Sequence, residues 1–178
     1  SLKRISLMNP GTRVLTYIGA YVPHNLVLMS DIHRLKYAMY LNNDAYEALK
    51  KMIDAMPDEI ANDFYVKEAY TSFTDLQYSN PNLAGKDERQ LGNTVSIASK
   101  SIAYHEFETS ALSQWLEAHS YEYGFTLRYP KRMASSTNHV YDAHYYRYVG
   151  KKNANKIYKE NSCIEEYNQK ETAEWKKL

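Results

Sequence analysis

The sequence predicts an α+β fold, a small antiparallel sheet with helices packed against it. Two segments, Tyr123-Gly-Phe-Thr-Leu-Arg-Tyr-Pro130 and Asp142-Ala-His-Tyr-Tyr-Arg-Tyr-Val-Gly150, are dense in aromatic, β-branched and leucine residues. Each is bounded by Gly or Pro, and the polar loop Lys131–Val140 separates them, so they read as a close strand pair. Two other stretches carry apolar residues at helical spacing. The short strands are interleaved irregularly with helices, which disfavours a doubly wound parallel sheet. A chain of 178 residues can bury one sizeable core.

Taken in order, residues 1–20 form an arm without clear periodicity, in which Val14–Ile18 could be a short strand. Asn43 or Asp44 can cap a helix running to about Met56, with Ala45, Leu49, Met52, Ile53 and Met56 on one stripe. Pro57 stops it. Phe64–Tyr70 reads as a strand, Asp75–Ser79 as the start of a short helix, and Asn80–Lys86 as a loop. Gly92–Ala98 reads as another strand. Thr109 or Ser110 caps a second amphipathic helix through Leu112, Trp115, Leu116 and His119. After the strand pair, Lys151–Glu160 reads as helical. Ser162-Cys-Ile-Glu165 has capping-box spacing and would open a terminal helix, whose Ile164, Tyr167, Trp175 and Leu178 pack back or reach a partner.

Charged residues make up 24% of the chain and the net charge is +1, so no basic face points to nucleic acid. No apolar run approaches the roughly 20 residues that span a bilayer. No signal-peptide pattern opens the chain, so any targeting or anchoring segment is expected to precede Ser1. The single Cys163 excludes an internal disulfide and a cysteine metal cluster. The unusual feature is 18 tyrosines against 4 phenylalanines and 2 tryptophans. Tyrosine pairs a flat contact area with a hydrogen-bonding tip and suits a wet binding cleft; equally, it can stand in for Phe in ordinary packing.

The segment Tyr123–Lys131, followed by an acidic residue and Arg147-Tyr-Val-Gly150, resembles the C-terminal half of VanY-type D-alanyl-D-alanine carboxypeptidases. Tyr21–Met29 (Tyr-Val-Pro-His-Asn-Leu-Val-Leu-Met) is similar to an extended segment that wraps the domain in that family. The resemblance covers residues 21–167 as one domain, leaves 168–178 as a helical extension, and implies the hedgehog-like fold of the zinc D,D-peptidases. The family pattern Glu-Pro-Trp-His-Phe-Arg-Tyr-Val-Gly supplies a general base and a zinc histidine; anchored on Arg147–Gly150, these positions hold Asp142 and Tyr145. The pattern Ser-Glu-His-Gln-Thr-Gly-Leu-Ala-Val-Asp supplies the other two ligands. Gly85, Glu88, Gln90, Gly92 and Val95 match its frame without a gap, which puts Arg89 and Ser96 at the ligand positions. The family's substrate-carboxylate Arg is Thr71.

A catalytic zinc takes three His, Asp, Glu or Cys ligands and an open position for water. Arg89, Ser96 and Tyr145 supply none of these, so the resemblance implies a domain without zinc, without another cofactor and without hydrolysis. The expected ligand-binding set is Arg89, Ser96, Asp142, Tyr145, Thr71, Gln90 and His144. Asp142 is expected to pair with Arg89; the two either neutralise each other or leave Arg89 able to fork a peptide carboxylate. Partners by resemblance are a peptidoglycan stem peptide or another envelope protein, at an extracytoplasmic location. Two alternatives stay open. One is a working peptidase with relocated ligands, with Asp142 as base, in which three of His24, His105, His139, His144 and the acidic residues converge. His24 and His33 sit in the entry segment without a matching partner, and His119 lies on a helix stripe. The other is a protein-interaction subunit that binds no peptidoglycan. Cys163 as a nucleophile is the weakest reading, since no His is near it in sequence.

Overall fold

The computed structural model describes residues 18–32 and 37–176. The strand expected at Val14–Ile18, and packing by Trp175 and Leu178, lie outside the described residues. The remaining elements follow the predicted order. Strand β1 (Leu26–Leu28) pairs antiparallel with β2 (Tyr40–Asn42), and helix α1 (Asn43–Ala55) follows directly. Its N-cap is Asn42, one residue before the expected cap, and the Asn42 amide donates to the Leu91 carbonyl (3.0 Å) instead of capping. Pro57 both ends α1 and stands at the N-cap of α2 (Asp58–Asp63), which leads into β3 (Phe64–Glu68). Helix α3 (Phe73–Ser79) starts two residues earlier than expected because Ser72 Oγ caps it, accepting from the Asp75 N–H (3.0 Å).

Strand β4 (Thr94–Ser99) precedes α4 (Ala111–His119), which Ser110 caps as predicted, accepting from the Ser113 N–H (3.0 Å). Then come β5 (Phe125–Tyr129), a single helical turn α5 (Ala134–Thr137) inside the predicted loop, β6 (Asp142–Tyr148), α6 (Lys151–Lys159) and α7 (Ile164–Lys176). The main sheet is antiparallel in the order β3-β4-β6-β5, so the fold is α+β as read.

One face of this sheet is apolar. Val95, Ile97 and Tyr146 are buried with Leu49 and Met52 of α1 and Leu112 and Leu116 of α4. The other face is also covered, because all six β4 residues are buried; Thr94 and Ser96 alternate with the apolar residues but do not reach water. A β-bulge between Val66 and Glu68 sets Glu68 opposite Ser96, and Ser96 in turn lies opposite Tyr145. A bulge re-aims a side chain at a sheet edge. Here it forms the cross-strand row Glu68–Ser96–Tyr145. Gly92, at φ +77°, closes the turn before β4; a Cβ there would lie 2.8 Å from Asn42 Oδ1, so only glycine fits.

The segments around this row are tied by a buried ion network. Arg128 of β5 has 0% of its surface exposed. Its Nε donates to both oxygens of Glu88 (2.8 and 2.9 Å), and Nη1 and Nη2 donate to the two oxygens of Glu165 (2.8 and 2.9 Å). Arg147 Nη1 reaches Glu88 at 3.1 Å. The capping box read at Ser162–Glu165 does not form. Glu165 turns inward to Arg128, and Ser162 Oγ bonds Glu166 Oε2 (3.2 Å) one residue later. Glu165→Ala strands a buried guanidinium, and removing one partner of a buried pair costs about 3–5 kcal/mol. Denaturant unfolding is expected to show a loss of that size; a change under about 1 kcal/mol would mean that the network is not holding α7 to the sheet.

Candidate functional site

The three positions assigned by resemblance to zinc ligands meet at one place. Asp87 starts the turn Glu88–Leu91, its Oδ1 accepting from the Arg89 N–H (2.8 Å). The same carboxylate grips the Arg89 guanidinium, taking Nε on Oδ1 (3.0 Å) and Nη2 on Oδ2 (2.9 Å). Nη1 donates to Glu68 Oε2 (3.1 Å), and the Tyr145 hydroxyl donates to that same oxygen (2.8 Å). Ser96 lies between Glu68 and Tyr145 in the ladder. Its buried hydroxyl makes no hydrogen bond and has the Tyr104 phenol as a polar neighbour. A cavity of about 300 Å³ opens beside this cluster, lined by Asp87, Arg89, Thr94, Tyr129, His139 and Tyr145 among others. Tyr129 and His139 stack on each other in its wall, with ring centroids 3.8 Å apart.

Burial opposes the charge on Arg89, but the hydrogen bonds and charge of Asp87, joined by Glu68, outweigh it and lift its pKa above the ordinary arginine value. Burial raises the Tyr145 phenol well above its usual range; Arg89 opposes that rise and Glu68 adds to it. Tyr145 therefore stays a neutral donor at any working pH.

The other predicted residues fall differently. Asp142 does not pair with Arg89; its Oδ1 accepts from the His144 N–H (2.8 Å), and Arg89 is already taken by two closer carboxylates. Gln90 is fully buried as a structural clamp: Nε2 donates to the carbonyls of Gly19 (2.7 Å) and Tyr21 (3.0 Å), while Oε1 accepts from the Gly85 N–H (3.1 Å). Thr71 is at the site through its backbone, its N–H donating to the Arg89 carbonyl (3.2 Å). The His144 ring is sandwiched between Tyr104 and Phe107, with centroids 3.8 and 4.4 Å away. Its Nδ1 lies 2.7 Å from the Ile97 carbonyl and its Nε2 2.9 Å from the Tyr104 carbonyl. His105 and His119 sit beside Glu106 and Glu122 away from the cluster. His139 alone of the other histidines reaches the cavity; His33 lies outside the described residues.

A family model described as D-alanyl-D-alanine carboxypeptidase, VanY, matches residues 76–151, the stretch that holds the Arg89 turn, β4 and the β5–β6 pair. This chain belongs to the VanY-type carboxypeptidase family. It is 28% identical over 173 residues to the Bacillus subtilis protein YodJ, covering 85% of this chain and 63% of that one. Against a D-alanyl-D-alanine carboxypeptidase of Enterococcus faecalis it is 32% identical over 124 residues, 68% of this chain and 44% of the relative. The chain thus spans less than two thirds of either relative's length. The solved structure of the LD-carboxypeptidase LdcB, which addresses peptidoglycan recognition by that enzyme, superposes with a TM-score of 0.74 at 25% identity, over 86% of this chain and 84% of LdcB. No helix among the described residues is long and apolar enough to cross a membrane.

The VanY-type frame was readable, but the partners of Arg89 were not. Asp87, two residues before Arg89, is a helix-start residue type, and that signal could have placed it at the turn. Glu68 gave none, because only the bulge brings it opposite Ser96. Cys163 is fully buried, and burial pushes its thiol up to about 11, with Glu165 and Glu166 adding to the rise and backbone N–H groups opposing it. At pH 8 the native protein is expected to resist iodoacetamide and to label only after denaturation. Rapid stoichiometric labelling of the native chain would contradict this burial and reopen the nucleophile reading.

Proposed function

We propose that this VanY-type domain has exchanged zinc hydrolysis for a metal-free binding role at the bacterial cell envelope, with peptidoglycan stem peptides as the partner class. The observation that carries this reading is the guanidinium of Arg89 at a zinc-ligand position, held there by Asp87 and Glu68. A guanidinium has no lone pair to donate, and it does not lose its proton in a protein. The Tyr145 phenol stays protonated and is spent on Glu68, and a neutral serine hydroxyl is a poor ligand. The residues present do not fit a divalent cation. Two carboxylates, Asp87 and Glu68, answer Arg89 instead.

Relocated ligands are disfavoured by His144, whose two nitrogens both face carbonyl oxygens and are not free to coordinate. Among the described residues, no three His, Cys, Asp or Glu side chains converge as a metal-binding group. Likeness to LdcB supports peptidoglycan as the partner and a place outside the membrane. The open cavity supports binding over a purely structural role.

Two measurements test the reading. Purified protein is expected to carry substoichiometric zinc, to release no D-alanine or other terminal residue from stem peptides, and to co-sediment with purified peptidoglycan. Stoichiometric zinc with chelator-sensitive hydrolysis overturns the loss of catalysis, and failure to sediment overturns the binding role. The combined variant Arg89→His, Ser96→Asp and Tyr145→His returns three ligands to adjoining positions and is expected to acquire zinc, since ligand type and not the frame is what bars it.

A further inference from the structure

Resting on that reading, we propose that the cavity beside Arg89 receives a primary ammonium group of a peptide. The charge count favours it. Asp87 and Glu68 carry two negative charges against the single positive charge of Arg89. The neighbouring Glu88 and Glu165 are balanced by Arg128 and Arg147. The cluster is left one negative charge in excess, in a partly buried cavity where charge is less screened than in water. Lys67, next in the chain to Glu68, lies over the Tyr104 ring, with Nζ 3.7 Å from its centroid.

Unused acceptors supply the second, independent observation. Thr94 lines the cavity with 1% of its surface exposed, and its buried hydroxyl has no hydrogen-bond partner. Glu68 Oε2 takes both Arg89 and Tyr145, so a further donor to this carboxylate must use Oε1. Asp87 Oδ2 accepts only Arg89 Nη2. An ammonium brings three donors and no acceptor, which matches a site rich in spare acceptors. The Tyr145 ring on the lining adds a face that attracts a cation. A carboxylate brings only acceptors and a second like charge, so Asp87 and Glu68 repel it.

The test uses the whole chain at pH 8, where an ordinary histidine is neutral. Four probes are compared by amide chemical-shift titration and calorimetry: Nα-acetyl-lysine amide, alanine amide, N-acetyl-D-alanyl-D-alanine and N-acetyl-alanine amide. The inference expects one or both ammonium probes to bind, with shifts centred on Asp87, Thr94 and Tyr145, and the other two to bind at least about tenfold more weakly. Binding by the lysine probe alone assigns a diamino-acid side chain; binding by alanine amide alone assigns a peptide amino end. Glu68→Gln and Asp87→Asn are each expected to weaken binding by about tenfold, the effect of losing one charged hydrogen bond. Glu68 lies at a half-exposed strand end, so its variant decides the matter if Asp87→Asn does not fold. Equal or tighter binding of the carboxylate probe, no binding by either ammonium probe, or no effect of Glu68→Gln overturns the inference. Zinc and hydrolysis are measured on the same preparation. A metal-free, inert protein that prefers the carboxylate sinks this inference alone, whereas a zinc-loaded one sinks the reading beneath it.

Discussion

Everything around the cavity depends on one buried guanidinium. Arg128 faces Glu88 with one edge and Glu165 with the other, and through them binds β5, the turn before β4 and the first turn of α7. These three segments are distant in sequence, and the guanidinium ties them at one point. Two carboxylates accept four donor contacts from Arg128, and Arg147 supplies the second positive charge that keeps the group neutral. Taking such charges out of water is expensive, and it is tolerable only because each has an opposite charge in contact. The consequence is positional. With Glu88 fixed to β5, the residues on either side of it, Asp87 and Arg89, have little choice about where they project.

That fixed turn explains why the guanidinium of Arg89 can occupy a position built for a metal ligand. A point cation and a guanidinium place similar charge in a small space, but they make different demands on their neighbours. A metal needs lone pairs pointing inward, whereas Arg89 needs acceptors arranged in its plane, which Asp87 provides bidentately. Glu68 then closes the arrangement from β3, brought into reach by the bulge after Val66. The hydroxyl of Tyr145 completes Glu68 and needs no charge of its own. Each substitution makes sense only beside the others, and the whole set leaves the cavity with an excess of acceptors.

Parts of this were legible in the amino-acid sequence because they rest on local chemistry. The two long strands declared themselves by aromatic density between Gly and Pro, and α4 by the Ser110 cap and the spacing of Leu112 and Leu116. The three ligand positions could be placed because Glu88, Gln90, Gly92 and Arg147 keep register with the family pattern. What could not be read were choices made between distant segments. Asp142 was the expected partner of Arg89, since it is the acidic residue of its motif; the bulge at Glu68 and the turn at Asp87 put two nearer carboxylates there. Gln90 looked like a site residue because it matched a site motif, but its amide is consumed by the carbonyls of Gly19 and Tyr21. Glu165 read as a helix cap, and burial of Arg128 claimed it instead. In each case a long-range partner outbid a local one.

The separation between frame and reaction centre follows from where the hydrogen bonds go. Arg128, Glu88, Gln90 and Gly92 hold backbone segments or buried charges, so a change at any of them is felt by the fold. The side chains of Arg89, Ser96 and Tyr145 hold almost nothing outside their own cluster: Arg89 reaches only Asp87 and Glu68, Tyr145 only Glu68, and Ser96 makes no hydrogen bond. Their backbones lie in the ladder or the turn, which is indifferent to the side chain carried. A centre arranged this way can be rewritten without unfolding the domain, provided the new set is neutral enough to bury and leaves few polar atoms unpaired. The buried hydroxyls of Ser96 and Thr94 are left without a hydrogen-bond partner beside this centre, and Thr94 lies where a ligand entering the cavity would meet it.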